Sequence, residues 1–179
     1  LRLFFGIPLE DKVKGEIFEF LEKKGVLRKN YKWVRRDNLH ITLKFLGEVK
    51  EHLLSALYDT GKKTAENFSG FQAFTQGFSG FPAPQRARVF FLEVKPEEKI
   101  EKLFIFLERE LEKLGFEKER RKYHPHITLA RIKGFVAIPE LPYLKIQFKI
   151  NEFCLYKSDL RKEGAVYTVL KTFSLKGVS

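Results

Sequence analysis

Two identical tetrapeptides carry the most evident chemistry in this chain: His40-Ile41-Thr42-Leu43 and His126-Ile127-Thr128-Leu129. In an extended strand, side chains two positions apart share a face. Each segment would therefore present an imidazole and a hydroxyl together and turn its two aliphatic residues the other way. Imidazole titrates near neutrality, so of two such rings one can be neutral and the other protonated, a base and an acid on opposite sides of one reacting atom. The phosphorus of a cyclic phosphodiester suits that arrangement, because the attacking water must lose a proton while the departing sugar oxygen gains one. Thr42, Thr128 and the nearby Arg131 would donate hydrogen bonds to the non-bridging oxygens. Phe45 and Tyr123, close in sequence to the two motifs, are candidates for stacking on a base.

One His-x-Thr alone would say little. Two copies, each extended to His-Ile-Thr-Leu, in a chain with only four histidines say far more. Of the other two, His52 starts a helical stretch and is expected in solvent, and His124 is a candidate neighbour of the second motif. A metal hydrolase built on His40, His124 and His126 lacks a carboxylate or cysteine at ligand spacing, so neither metal nor cofactor is expected. His124-Pro125-His126 resembles the start of a histidine triad, but Thr128 stands where the third alternating histidine would be. Cys154 is the only cysteine, which excludes a disulfide within the chain and reads as a small buried residue.

The elements that must position these motifs form a repeat. An apolar strand, Leu1 to Ile7, is followed by Pro8, a helix with Val13, Ile17, Phe20 and Leu21 at helical spacing, and a stop at Gly25. The strand Val89 to Val94 is followed by Pro96, a helix with Ile100, Leu103, Phe104, Leu107, Leu111 and Leu114 inward, and a stop at Gly115. The motif histidines are 86 residues apart, the prolines 88 and the glycines 90, so the landmarks stay nearly in register. Glu51 to Asn67 reads as a further helix, with Leu53, Leu54, Leu57 and Tyr58 inward and no counterpart after Arg131. Phe71 to Thr75, Leu144 to Ile150 and Val166 to Leu170 read as strands. The run from Gly77 to Arg88, with Gly80, Pro82 and Pro84, reads as loop. The expected fold is α+β: one bilobal domain over residues 1–179, with copies beginning near Leu1 and Val89. Its two lobes are related by a pseudo-twofold axis, each a small antiparallel sheet with helices on the outer face, and they enclose a central cleft.

The net charge of +11 points to a polyanionic partner, although 32% charged residues and no Met also suit a surface built for heat. Placement favours a real anion site. Arg28, Lys29, Lys32, Arg35 and Arg36 precede His40, and Arg120, Arg121 and Lys122 precede His124 and His126. No run of eighteen apolar residues is present, and the opening residues lack the form of a secretory signal, so a cytoplasmic protein without a membrane partner is expected.

The blocks Arg2 to Ile7, Asn38 to Gly47, Arg88, His126 to Arg131, and Leu155 to Ser158 with Gly164 and Tyr167 resemble the two-histidine phosphoesterase superfamily, and within it the RNA 2′,3′-cyclic phosphodiesterases, also called 2′-5′ RNA ligases. The resemblance implies metal-independent opening of 2′,3′-cyclic phosphate RNA ends to a 2′-phosphate, with reverse 2′-5′ joining in some members. It implies His126 as the proton acceptor and His40 as the proton donor to the 3′ oxygen, with Thr42, Thr128 and Arg131 holding the phosphate. RNA with cyclic phosphate ends, tRNA fragments among the candidates, is the expected partner of a monomer. A non-catalytic RNA- or nucleotide-binding module using the same cleft is the alternative.

Overall fold

A computed structural model describes residues 1–28 and 30–177; Lys29, one of the basic residues noted before His40, lies outside them. Twelve elements follow in chain order: β1 (Arg2–Pro8), α1 (Asp11–Lys23), β2 (Tyr31–Trp33), β3 (His40–Glu48), α2 (Leu54–Glu66), β4 (Phe71–Ala83), β5 (Arg86–Lys95), α3 (Glu97–Glu112), β6 (His126–Val136), β7 (Gln147–Ile150), β8 (Glu152–Arg161) and β9 (Gly164–Ser174). The strands run β7-β4-β5-β6-β3-β1-β8-β9, with β2 also on β6, and every named pairing is antiparallel.

The two ends of this order, β3-β1-β8-β9 and β7-β4-β5-β6, each take strands from both stretches of the chain, so neither end coincides with a copy beginning near Leu1 or near Val89. They meet where Ile41 of β3 faces Ile127 of β6, the single pair bridged between the named strands of the two ends among the described residues. Both isoleucines are fully buried, in one continuous core with Val13, Ile17 and Leu21 of α1 and Ile100, Leu103 and Leu107 of α3. The aliphatic residues of both motifs thus face the helices, and the histidines and threonines face away from them.

α1 and α3 follow β1 and β5 and end alike. Gly25 and Gly115 take φ values of 65° and 96°, which L side chains resist. The next residue's N–H then reaches back to a helix carbonyl, Val26 to Leu21 and Phe116 to Leu111, at 3.2 Å in each case. α2 packs against β8, β9 and α3, and residues 137–146, after β6, form no helix. Its buried face is Leu57, Thr60, Gly61, Thr64 and Ala65, smaller than the leucine and tyrosine face expected. The ring of Phe173 fills the space beside Gly61, so a larger side chain there would collide with it.

The run from Gly77 to Arg88 is not a loop. It holds the end of β4, a turn at Pro84 and Gln85, and the start of β5, with Pro82 opposite Ala87 and Ala83 opposite Arg86. Proline is tolerated because β7 pairs only with Phe71 to Phe74, leaving the far half of β4 as a sheet edge with no ladder hydrogen bond to lose. Gly80 serves packing: a Cβ there would come within 2.5 Å of the Ala87 side chain.

Candidate active site

The two halves build their motif strands alike. β1 sets Gly6, Phe5 and Phe4 opposite Thr42, Lys44 and Phe45; β5 sets Phe91, Phe90 and Val89 opposite Thr128, Ala130 and Arg131. In both, the register slips by one residue at the same step, between Phe5 and Gly6 and between Phe90 and Phe91. This bulge leaves Leu43 and Leu129 without a partner and puts two consecutive residues on the core side, Leu43 with Lys44 and Leu129 with Ala130. Phe45 and Arg131 are thereby re-aimed to the face of the histidines. Unbroken alternation would have placed both beneath the sheet.

The imidazoles are held alike as well. His40 Nδ1 lies 2.6 Å from the carbonyl oxygen of Asn38, and His126 Nδ1 lies 2.6 Å from that of His124. A carbonyl can only accept, so Nδ1 carries a hydrogen in each ring and Nε2 is the nitrogen left to exchange a proton. His40 Nε2 is 2.9 Å from Thr42 Oγ1, whose hydroxyl donates to it when the ring is neutral. Burial pulls the His40 pKa from 6.5 down to about 4; the Asn38 carbonyl opposes the shift, and positive charge on His126 and Lys14 adds to it. Burial also lowers the His126 pKa, opposed by the His124 carbonyl and assisted by the His124 and Arg131 charges. The effect of His126 on His40 reflects their closeness across the Ile41–Ile127 bridge.

The walls around the two rings differ. His40 sits among Phe4, Tyr156 and Tyr167, with ring centroids 5.0, 6.1 and 5.4 Å away. Gly6 makes room for it: a Cβ there would stand 3.2 Å from His40 Cδ2. Phe45, 58% exposed, extends this wall at 5.8 Å from Phe4, where its ring is free to stack. His126 sits between Phe81 and Phe91, each at 5.0 Å. Beyond it opens a groove of about 870 Å³ lined by Phe81, Arg88, Arg121, Lys122, His124 and Arg131. Tyr167 bridges the walls: burial raises the pKa of its phenol, opposed by the nearby charges of Arg131 and Arg2.

The structure therefore brings His40, Thr42, His126, Thr128, Arg131 and Phe45 to one face. Tyr123 is a correction. Its ring stacks on Phe104 of α3 at 4.3 Å and its hydroxyl donates to the Thr42 carbonyl at 2.7 Å, so the ring is occupied in packing behind β3. The basic residues before His40 also turn elsewhere in part: Arg36 pairs with Asp11 at 3.1 Å. His124 lines the groove with Nδ1 3.1 Å from Glu97, and His52 is exposed as expected. Phe4, Phe81 and Tyr156 were not among the candidate site residues because they reach the two rings from neighbouring strands. The one local signal was Gly6, two residues from Phe4 on a strand otherwise made of bulky residues.

The 2′-5′ RNA ligase superfamily profile matches residues 11–162. The chain belongs to this superfamily. Among its members, the chain is 31% identical to the RNA 2′,3′-cyclic phosphodiesterase of Thermotoga maritima, over 99% of this chain and 97% of that protein. It is 33% identical to the protein of that name from Thermus thermophilus, over 99% and 91%. Its fold matches the crystal structure of TT0787 of Thermus thermophilus with a TM-score of 0.86 at 31% identity, covering 99% of each chain. It matches E. coli LigT complexed with 3′-AMP with a TM-score of 0.84 at 28% identity, covering 97% of each. Superfamily membership thus rests on the whole chain and not on the motifs alone. Among the described residues no helix is long and apolar enough to cross a membrane.

Proposed function

We propose that this protein is a metal-independent RNA 2′,3′-cyclic phosphodiesterase that opens the cyclic end to a 2′-phosphate. The observation that carries the reading is the pair of His-x-Thr faces joined at Ile41 and Ile127, each imidazole with Nδ1 tied to a carbonyl and Nε2 left to react. Relatives of that name, similar along almost the full chain, supply the substrate class.

With the phosphate seated between the rings, His126 Nε2 takes a proton from the attacking water as the new P–O bond forms. The P–O3′ bond breaks on the far side, and the 3′ oxygen receives the proton carried by His40. Thr42, Thr128 and Arg131 hold the non-bridging oxygens as their charge grows. Because burial keeps both rings neutral in the empty cleft, the proton on His40 is taken up with the substrate: the phosphodiester anion offsets the desolvation that depresses its pKa. A 5′-hydroxyl in place of water, on the same path, would yield a 2′-5′ linkage.

The net charge of +11 supports an RNA partner, tRNA fragments among the candidates, and we assign the work to a cytoplasmic monomer. The matched bulges, helix ends and imidazole ties support descent of the two halves from a duplication. The test is an oligoribonucleotide ending in a 2′,3′-cyclic phosphate, incubated with the protein in chelator. The expected product keeps phosphorus on the 2′ oxygen alone. Retention on the 3′ oxygen would overturn the acid–base assignment, and binding without turnover would turn the reading to a non-catalytic module.

A further inference from the structure

We propose that the groove flanking His126 is a second anion site, which takes a non-reacting phosphodiester of an RNA chain while the cyclic end reacts between the histidines. The proposal rests on the function above for the position of the reacting phosphate.

The groove continues from the reaction centre, because Arg131 shares the face of the histidines and also lines the groove. At about 870 Å³ it is far larger than a phosphate and in the range that encloses a ligand of nucleotide size or more. Its rim carries Arg88, Arg121 and Lys122, all exposed. Among the described residues, no carboxylate lies within ion-pair distance of these three or of Arg131, whereas Arg36, Lys44, Lys63 and Lys95 all have acidic partners. Cations gathered without a counter-charge repel one another, and a polyanion that relieves the repulsion also releases the ions condensed on it.

The loop that carries two of these cations is fixed at both ends. Lys44, 4% exposed, lies behind the motif strand, 3.0 Å from the buried carboxylate of Glu108. It also donates to the carbonyl of Glu117 at 2.7 Å, and the Glu119 N–H donates to Glu108 at 2.9 Å. Three residues past Arg120, the Tyr123 hydroxyl ties the loop back to Thr42 on the same strand at 2.7 Å. Arg121 and Lys122 therefore hang between two anchors on the strand of His40, although no regular element contains them. Arg88, also lining the groove, sits in β5 at a slip in register between Ala87 and Val89, with its guanidinium 5.2 Å from the centre of the Phe135 ring. Buried ionic anchoring of this kind is costly unless every partner is satisfied. Here it orders a segment in which Arg121 and Lys122 stay exposed.

The ligand is an RNA phosphodiester monoanion. It could come from the nucleotide upstream of the cyclic end, or from an acceptor strand whose 5′-hydroxyl enters in place of water. The experiment separates these. The full chain, an Arg121→Ala/Lys122→Ala variant and an Arg88→Ala variant are each given adenosine 2′,3′-cyclic phosphate, a dinucleotide with the same cyclic end, and the cyclic mononucleotide with an added 5′-hydroxyl oligoribonucleotide. Unaltered protein should favour the dinucleotide in kcat/KM by about tenfold, and the variants should lose that preference while turning over the mononucleotide within about twofold. If the acceptor strand is the source, both hydrolyses stay level across the variants and only the joined product falls, by a similar factor. The subsite is overturned if the three proteins treat all substrates alike, or if the variants lose mononucleotide and dinucleotide turnover equally. Failure of the unaltered protein to open either cyclic end would overturn the phosphodiesterase reading instead. Anisotropy of a labelled oligoribonucleotide ending in a 2′-phosphate then reports on the groove without turnover: the slope of log affinity against log salt should shrink by about 0.7 for each phosphate contact removed. An unchanged slope would rule the site out.

Discussion

Position by position, the two motif strands agree through the third residue after each histidine; two positions further on, one strand has Phe45 and the other Arg131, each re-aimed into the cleft by its bulge. The neighbouring residues differ too: Lys44 enters the core behind His40, and Ala130 enters it behind His126. Around His40 stand Phe4, Tyr156 and Tyr167, and beyond His126 opens a cationic groove. Symmetry supplies what the reaction needs twice, an imidazole with a fixed tautomer and a hydroxyl beside it. The asymmetric positions give the cleft a direction, with one wall suited to an aromatic base and the other to phosphate.

The largest effect should come from removing what the halves share. His40→Ala and His126→Ala are each expected to lower kcat by about 10⁴-fold with little change in thermal stability. Equal, small losses would mean that the rings bind and do not exchange protons. Next is Lys44→Ala, which gives the first strand the residue of the second. It should destabilise the fold by about 3–5 kcal/mol in urea unfolding, because Glu108 is left buried and unpaired. A loss below about 1 kcal/mol would mean that the Glu119 N–H and water suffice for the carboxylate.

Arg131→Ala and Phe45→Ala then separate the two walls. The arginine change should cost about 10²-fold in kcat, from a donor lost where charge develops. The phenylalanine change should cost roughly tenfold, mainly in KM, from a lost stacking surface. Reversal of these signatures would exchange the roles of the walls.

The smallest effect is in pH. Between about 6.5 and 4 the unfolded chain binds a proton that the folded His40 site disfavours, so the free energy of unfolding rises with pH across that window and falls as the pH drops through it. Thermal melts along this range should show the slope, and His40→Gln should flatten it. An identical slope in both proteins would place the titration elsewhere.

The two-residue period placed His40 with Thr42 and His126 with Thr128, and it turned Ile41 and Ile127 toward the helices. Proline, apolar spacing and glycine located α1 and α3. Composition could not locate the bulges, which depend on how β1 and β5 slide past their partners. For that reason Phe45 and Arg131 were legible only as neighbours in sequence, and the burial of Lys44 not at all. Tyr123 misled because nearness along the chain does not fix which side of a strand a loop residue reaches. The far half of β4 was hidden by Pro82 and Pro84, whose meaning changes once that stretch is seen to lie on an edge.

The paired bulges make front and back a question of counting. Deleting one amino acid from residues 43–44, or from 129–130, would restore unbroken alternation and still leave the downstream aromatic or guanidinium facing outward, because each bulge adds one residue to the core side. What the shorter strand loses is a core-side chain, so a library that varies length and identity at these two places should show its losses in stability before it shows them in the facing of Phe45 or Arg131.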